Sequence, residues 1–229
     1  MSVLTPDLVD AFRRLSAASV SNAIETFDVR LRNEGFADGR LRCLYPDHRP
    51  VIGHAVTARI RCSAPPPVGH SYHDRTDWWN YIVSVPAPRI VVVQDVDDRP
   101  GLGAFVGDVH ARILQALGCV AYATNGSVRD VDEVHGLGFQ FFACGVAISH
   151  AFAHIVDFGQ TVEVASLAVS TGDVLFGDAD GLLSVPSSIV GEIPQRVERM
   201  RKKEEHVMAF CRSSGFSIAG LRELVRDLG

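Results

Sequence analysis

Between residues 89 and 130 the chain reads RIVVVQD (89–95), a loop containing Gly101 and Gly103, GDVHARILQALG (107–118) and CVAYATNGSVRD (119–130). The first run is continuous and β-branched, the composition of a strand covered on both faces. Val109, Ile113 and Leu117 share one face of a helix that opens at Gly107-Asp108, and Gly118 stops it. Cys119–Thr124 is a second buried run. A strand–helix–strand crossover of this length predicts parallel pairing, and with it an α/β fold. Asn125–Asp130 then reads as a tight turn with a charged exit, Val131–His135 as a short helix and Phe139–Cys144 as a third strand.

Working upstream, Val56, Ala58, Ile60 and Cys62 alternate with Thr57, Arg59 and Arg61, the period-2 pattern of a half-buried strand. Pro65–Pro67 ends it. A polar loop with Gly69, His70, His73 and Asp74 follows, then a short helix over Asp77–Val83 carrying Trp78 and Trp79. At the start, Thr5-Pro6 caps a helix with Leu8, Phe12 and Leu15 at helical spacing, and Val20, Ile24 and Phe27 repeat the pattern. Residues 30–50, rich in Arg, Asp, Gly and Pro, predict an irregular surface crossing. Downstream, Thr161–Val169 and Asp173–Phe176 read as strands, and Asp180-Gly181 as a turn into Leu182–Val185. Val190–Cys211 and Ser217–Leu228 are helical in composition. The expectation is one domain over 1–229, with N-terminal helices at about 5–28, a core at about 50–186 and C-terminal helices at about 187–228.

The composition narrows the function classes. With 229 residues, 47% hydrophobic, the chain can bury a large core, and disorder is excluded as its dominant state. A net charge of −5 and a pI near 6.0 argue against nucleic-acid and anionic-membrane binding. No apolar run approaches the ~18 residues of a membrane span, and Met1–Asp10 has no signal-peptide layout. Five cysteines without a C-x-x-C pair predict reduced core thiols and a cytoplasmic location.

Two strand ends are placed for chemistry: the loop into Gly107-Asp108-Val109 and the segment Asn125–Asp130. A helix start offers backbone N–H groups suited to a carboxylate or phosphate. Arg129 and Asp130 can divide labour around an anion, Asp holding a hard cation and Arg contacting ligand oxygens. On spacing alone, a glycine-containing loop with Asp108 as a helix-terminus charge, and Arg129-Asp130 as a surface cation and a capping acid, explain the same residues.

Taken together, Gly107-Asp108-Val109, Gly118–Ala121 and Asn125-Gly126-Ser127-Val128-Arg129-Asp130 resemble the RraA-like family. That family includes class II 4-hydroxy-4-methyl-2-oxoglutarate aldolases and regulators of ribonuclease E activity. Gly53–Ala58 is similar to its G-x-A-x-T strand, and Gly172-Asp173-Val174 through Asp178–Gly181 to Val185-Pro186 to its hairpin. The resemblance runs from about residue 15 to 210. It implies a swivelling β/β/α sandwich with flanking N- and C-terminal helices. It also implies assembly as a homotrimer or dimer of trimers, with sites between subunits. In the site it implies Asp130 as ligand of Mg²⁺ or Mn²⁺, and Arg129 on the 2-oxo oxygen of a small 2-oxo acid. Asp108 orients a metal-bound water, and the Val109 and His110 amides receive the substrate carboxylate. An acid from the C-terminal helix of an adjacent subunit, Glu205 or Glu204, completes the relay.

The residues agree with that chemistry. A 2-oxo acid chelates a hard cation, and carbon–carbon cleavage leaves an enolate that needs an electron sink. Both lysines, Lys202 and Lys203, lie in the polar helix, which argues against a Schiff base. The chain departs from the family at Asn125, where Asp is usual, removing a charge beside the metal turn. It departs again in the loop with His70, His73, Trp78 and Trp79. His150 and His154 sit at helical zinc-pair spacing but lack an intervening Glu and a third ligand. Trp78-Trp79 reads as a candidate aromatic substrate wall, with at least one of the two expected in the core. Arg199–Lys203 reads as a solvated helix face, and no nucleophile elbow or dinucleotide loop is present. The leading expectation is a metal-dependent lyase cleaving 4-hydroxy-2-oxo acids to pyruvate, with oxaloacetate decarboxylation alongside. The alternative is a non-catalytic regulator that binds a ribonuclease.

Overall fold

A computed structural model describes residues 3–67 and 76–228, and the buried runs of the sequence form the centre of its main sheet. The strands β1 (Arg42–Cys43), β2 (Val51–Arg61), β3 (Arg89–Asp95), β4 (Cys119–Val128) and β5 (Gln140–Val146) alternate with α3 (Thr76–Ser84), α4 (Asp108–Ala116) and α5 (Val131–His135). The pairs β2–β3, β3–β4 and β4–β5 are parallel, as the crossover predicted. β1 closes one edge against β5. On its far side β2 takes two antiparallel partners in succession: β9 (Val174–Asp178) along residues 51–54 and β6 (His154–Phe158) along residues 58–61. β10 (Gly181–Val185) completes the order β1-β5-β4-β3-β2-β9-β10.

The period-2 pattern sorts these strands onto two cores. Val91, Val93 and Tyr122 cluster with Trp78, Ile82, Ala111, Leu114 and Val134 from the helices. Ile90, Val92, Ala121 and Ala123 face the other way and cluster with the hairpin β7 (Val162–Val164) and β8 (Leu167–Val169). Hairpin, sheet and helices form the expected β/β/α layering. A third cluster joins α1 (Pro6–Phe12), α2 (Ala17–Glu25) and α6 (Ile193–Arg212) to β9 and β10 through Phe12, Ile24, Phe176, Leu183 and Val197. The chain closes with α7 (Ile218–Leu228). Among the described residues no helix is long and apolar enough to cross a membrane.

Four readings are corrected. Asn125–Val128 is not a turn but the continuation of β4, and the chain bends only at Arg129-Asp130. Residues 161–169 are a hairpin, reversing at Ala165 and Ser166, both at positive φ. Neither residue carries a turn signature; the reversal is pinned because Ser166 Oγ donates to Asp38 and the Asp38 amide donates to the Ala165 carbonyl. His150 and His154 do not share a helix face, since the chain turns through Ala151 at φ 46° and His154 opens β6. Of the cysteines, Cys62 and Cys119 are buried thiols, whereas Cys144 and Cys211 are exposed; all five are free. The His70 and His73 loop lies outside the described residues.

Arg89 holds the crossovers in place. It is buried at the start of β3. Nε donates to the Val85 carbonyl at 2.5 Å, Nη2 to Val83 at 3.1 Å, and Nη1 to Leu117. These carbonyls belong to the C-terminal ends of α3 and α4, where helix carbonyls lack intrahelical donors and the dipole is negative. One guanidinium therefore satisfies two helix ends at once. Arg89→Met keeps the length and leaves three carbonyls without a donor. It is expected to lower unfolding free energy by about 2–4 kcal/mol in urea titrations, less than the sum of three charge-assisted bonds at about 1.5–3 kcal/mol each because the apolar replacement also removes the cost of burying a guanidinium.

Candidate functional site

The crossovers β3–α4–β4 and β4–α5–β5 deliver two loops to one end of the sheet. The loop after β3 is folded back by Asp95, whose carboxylate accepts from the amides of Asp97 (3.1 Å) and Gly101 (2.8 Å). Burial raises the pKa of Asp95 above the usual carboxylate value. Ser127 Oγ on β4 donates to the Gly101 carbonyl at 2.9 Å, and a Cβ at Gly103 would stand 2.5 Å from the His150 carbonyl oxygen. The loop is thus pressed between β4 and the segment leading to β6.

Asn125 completes this brace. Its Oδ1 accepts from the Asp95 amide at 2.7 Å and its Nδ2 donates to the Asp95 carbonyl at 3.0 Å. The β3–β4 ladder ends at Val93 and Thr124, so the Asn side chain replaces the next backbone pair. A carboxylate can accept but cannot donate, so Asp in this position would lose half of the arrangement. The departure at residue 125 therefore serves the strand ends.

At the end of β4, Asp130 adopts left-handed backbone (φ 55°, ψ 46°) as the N-cap of α5. That conformation, uncommon for a non-glycine residue, brings its carboxylate under the start of α4. Asp130 Oδ2 accepts from the Asp108 amide at 3.2 Å and from Arg129 Nε at 3.2 Å. Arg129 and Asp130 thus pair with each other as well as facing the cavity. Gly107, the N-cap of α4, offers no side-chain cap, and Asp130 supplies one from across the site. A Cβ at Gly107 would lie 2.2 Å from Asp130 Oδ2 and 3.0 Å from Arg129 Cγ, so the approach depends on glycine.

These residues wall a cavity of about 560 Å³. Asp108, Val109, His110, Arg129 and Asp130, named from the sequence, all line it. Glu204 and Glu205 do not; they lie exposed on α6, which packs on α2. Trp79, Phe105, Phe152, His150 and His154 also line it, whereas Trp78 is in the core, as expected for one of the pair. Phe105, Phe152 and His154 were missed as lining residues because the segments carrying them have no periodic pattern. His110 Nδ1 donates to the Phe105 carbonyl at 2.9 Å and the rings stack at 5.3 Å. Burial, with Arg129 and His150 nearby, pushes its pKa below the usual histidine value.

Two groups of three metal-ligating side chains occur among the described residues, and both lie off this cavity: Asp47, His48 and His135 on the surface, and Cys62, Asp95 and Asp97 at the end of β3. In the second, Asp97 is occupied by the amides of Cys62 and Ser63 and the Ser63 hydroxyl, and Asp95 by two amides of its own loop.

The mixed α/β sheet sets a helix start and an Arg-Asp pair against one cavity at the carboxyl ends of its strands, the place where open α/β folds hold their ligands. The RraA-like (Aldolase/RraA) family model matches residues 5–183, and the chain belongs to that family. It is similar to Protein DlpA of Legionella pneumophila, 21% identical over 223 residues, covering 95% of this chain but 34% of DlpA. It is similar also to the "Putative 4-hydroxy-4-methyl-2-oxoglutarate aldolase" of Halalkalibacterium halodurans, 23% identical over 103 residues, 44% of this chain and 49% of that protein. The chain thus spans about a third and a half of these two relatives. Among solved structures it shares its fold with Streptomyces coelicolor RraAS2, described as an unusual member of the RNase ES inhibitor RraA protein family. The TM-score is 0.68 at 21% identity, over 89% of this chain and 96% of RraAS2.

Two measurements check this geometry. Gly107→Ala forces the Asp130 carboxylate away from the Asp108 amide and is expected to cost about 1–3 kcal/mol in urea titrations. Gly191→Ala, with nothing within 4 Å of the added methyl, is the neutral control. The second concerns pH. The unfolded chain takes up a proton at His110 near pH 6.5, which the folded site resists until lower pH, so His110 loses stability as pH falls. Between pH 7.5 and 5.5, unfolding free energy should fall more steeply in the native protein than in His110→Gln.

Proposed function

We propose that the protein is a divalent-metal-dependent carbon–carbon lyase of the class II pyruvate-aldolase type, cleaving 4-hydroxy-2-oxo acids to pyruvate and decarboxylating oxaloacetate. The observation that carries this reading is the convergence of Arg129, Asp130 and the first turn of α4 on one cavity, permitted by Gly107. The residues present fit a hard cation. Asp130 offers a carboxylate whose orientation is already held by two donors, and Asp108 stands beside it. Mg²⁺ or Mn²⁺ bound there would polarise the 2-oxo group and accept charge that develops during cleavage.

The chain's own residues supply the rest. Arg129 contacts the 2-oxo oxygen, its guanidinium oriented by the Nε bond to Asp130. The Val109 and His110 amides belong to the first turn of α4, where helix geometry provides no intrahelical acceptor, and they receive the carboxylate. Asp108, at the start of α4 and lining the cavity, would orient a water beside the cation. Glu205, or Glu204 beside it, lies on α6 away from this cavity and would complete the relay from another copy of the chain, in the homotrimer or dimer of trimers that the family resemblance implies. The regulator reading gives the Gly107–Asp130 approach no task.

In the presence of Mg²⁺ or Mn²⁺, pyruvate release from oxaloacetate or a 4-hydroxy-2-oxo acid should be followed in a coupled assay. Asp130→Ala and chelation should each reduce it by about 100-fold or more, the scale of losing a principal electrostatic group. Release that is absent, or equal in Asp130→Ala, sinks the proposal. Retention of the same protein on immobilised ribonuclease E at low salt would then favour the regulator.

A further inference from the structure

Away from the cavity, the segment between β1 and β2 meets the end of α5, and three metal-ligating side chains come together there. Asp47 and His48 belong to the segment and His135 to the last turn of α5; one ligand atom from each lies within 4.8 Å of the other two. His135 Nε2 and Asp47 Oδ2 share a hydrogen bond at 2.8 Å across 88 residues of sequence. The His48 and His135 rings stack at 4.7 Å. Two imidazoles and one carboxylate are a donor set of the zinc type, whereas Mg²⁺ and Ca²⁺ take oxygen ligands.

Tyr45 sets the positions of both imidazoles. Its ring is 2% exposed and lies 5.0 Å from that of His48 and 5.2 Å from that of His135. The Tyr45 hydroxyl donates to the Val131 carbonyl at 2.7 Å. The Tyr45 carbonyl accepts from Gln140 Nε2 at 3.0 Å and from the His48 amide at 3.1 Å. A support anchored in this way restricts how imidazole ligands can stand. A second observation is independent of the spacing. His48 Nδ1 is buried and, among the described residues, has no hydrogen-bond partner. A buried imidazole nitrogen left so costs free energy, which ligation through Nδ1 would recover. Solvent reaches the group: Asp47 and His48 line a surface cavity of about 730 Å³, and the side chains of Asp47 and His135 are 65% and 47% exposed.

We propose that Asp47, His48 and His135 form a Zn²⁺ site that clasps the β1–β2 connection to the end of α5. The ion replaces the His135–Asp47 hydrogen bond and the ring stack with three coordinate bonds, and water completes the shell. Side-chain rotations at the surface draw the ligand atoms to the ~3.4 Å spacing of a tetrahedral site. With the Tyr45 hydroxyl on Val131, α5 is then gripped at both ends. The site is independent of the lyase reading, whose cation would sit on Asp130.

The full chain, freed of metal by chelation and dialysis, is titrated with ZnCl₂ by calorimetry in excess Mg²⁺, and its melting is followed in parallel. The native protein is expected to bind Zn²⁺, with Tm rising as the ion saturates. His135→Gln and Asp47→Asn, both at exposed positions, should each weaken that step at least about tenfold and abolish the rise in Tm. His48→Gln should act in the same direction. Co²⁺ in place of Zn²⁺ should show the visible absorption of a four-coordinate ion in the native protein and not in His135→Gln. Absence of Zn²⁺ binding, or a Zn²⁺ step that either His135→Gln or Asp47→Asn leaves unmoved, overturns the proposal. Loss of the step in Asp130→Ala with no change in His135→Gln places the ion in the cavity and overturns it too. Failure of pyruvate release with the Zn²⁺ step intact removes the lyase reading and leaves this site standing.

Discussion

The contact on which the site depends is the approach of Asp130 to Gly107. It joins the ends of two successive crossovers, the start of α4 and the start of α5, through a carboxylate lying under a backbone amide. Three conditions have to hold together. Gly107 must lack a Cβ, Asp130 must accept left-handed backbone, and β4 must run on to Val128 so that the bend falls at Arg129. Each is local, yet together they decide where Arg129 stands in the cavity. A helix start without a side-chain cap is filled from another element, which makes the cap part of the site.

Polar side chains in structural tasks supply the rigidity this contact needs. Arg89 gathers the C-terminal carbonyls of α3 and α4 at the opposite end of β3, and Asn125 and Asp95 tie the end of β3 to β4. The central strands are therefore pinned by hydrogen bonds at both ends, while the hydrophobic faces between them set layer spacing. A parallel sheet delivers its loops to one end only if register is held, and register here is fixed by these end pairs as much as by the apolar pattern.

Periodicity made the centre of the fold legible. The runs at 89–95 and 119–124 and the glycines bracketing α4 gave parallel strands, a crossover helix and the loops at their carboxyl ends. The motif residues Asp108, Arg129 and Asp130 accordingly fell into one cavity. What escaped had no local signature. The Ala165-Ser166 reversal is held by Asp38, far away in sequence, and β6 pairs with β2 although its opening HAFAH segment reads as helical. Asn125 read as a lost charge because its partners, the backbone groups of Asp95, are brought to it only by the β3–β4 pairing. Phe105 and Phe152 escaped for the same reason, since they come from separate segments that meet only in the folded chain, whereas Trp79 was already a candidate lining residue.

The net charge of −5 looked like information about partners, and the cavity shows why it is not. At the polar end two carboxylates, Asp108 and Asp130, stand against one guanidinium, Arg129, which is itself half-screened by its bond to Asp130. The partial charge of the α4 start, roughly half an elementary charge, does not reverse that sign. Counting the described side chains at this end, the charge is negative, and an anionic substrate approaching alone would be repelled. A divalent cation on Asp130 would turn the local sign positive and release Arg129 from neutralising its neighbour. On the proposed lyase reading, the charge balance of these three side chains favours a cation bound before the substrate.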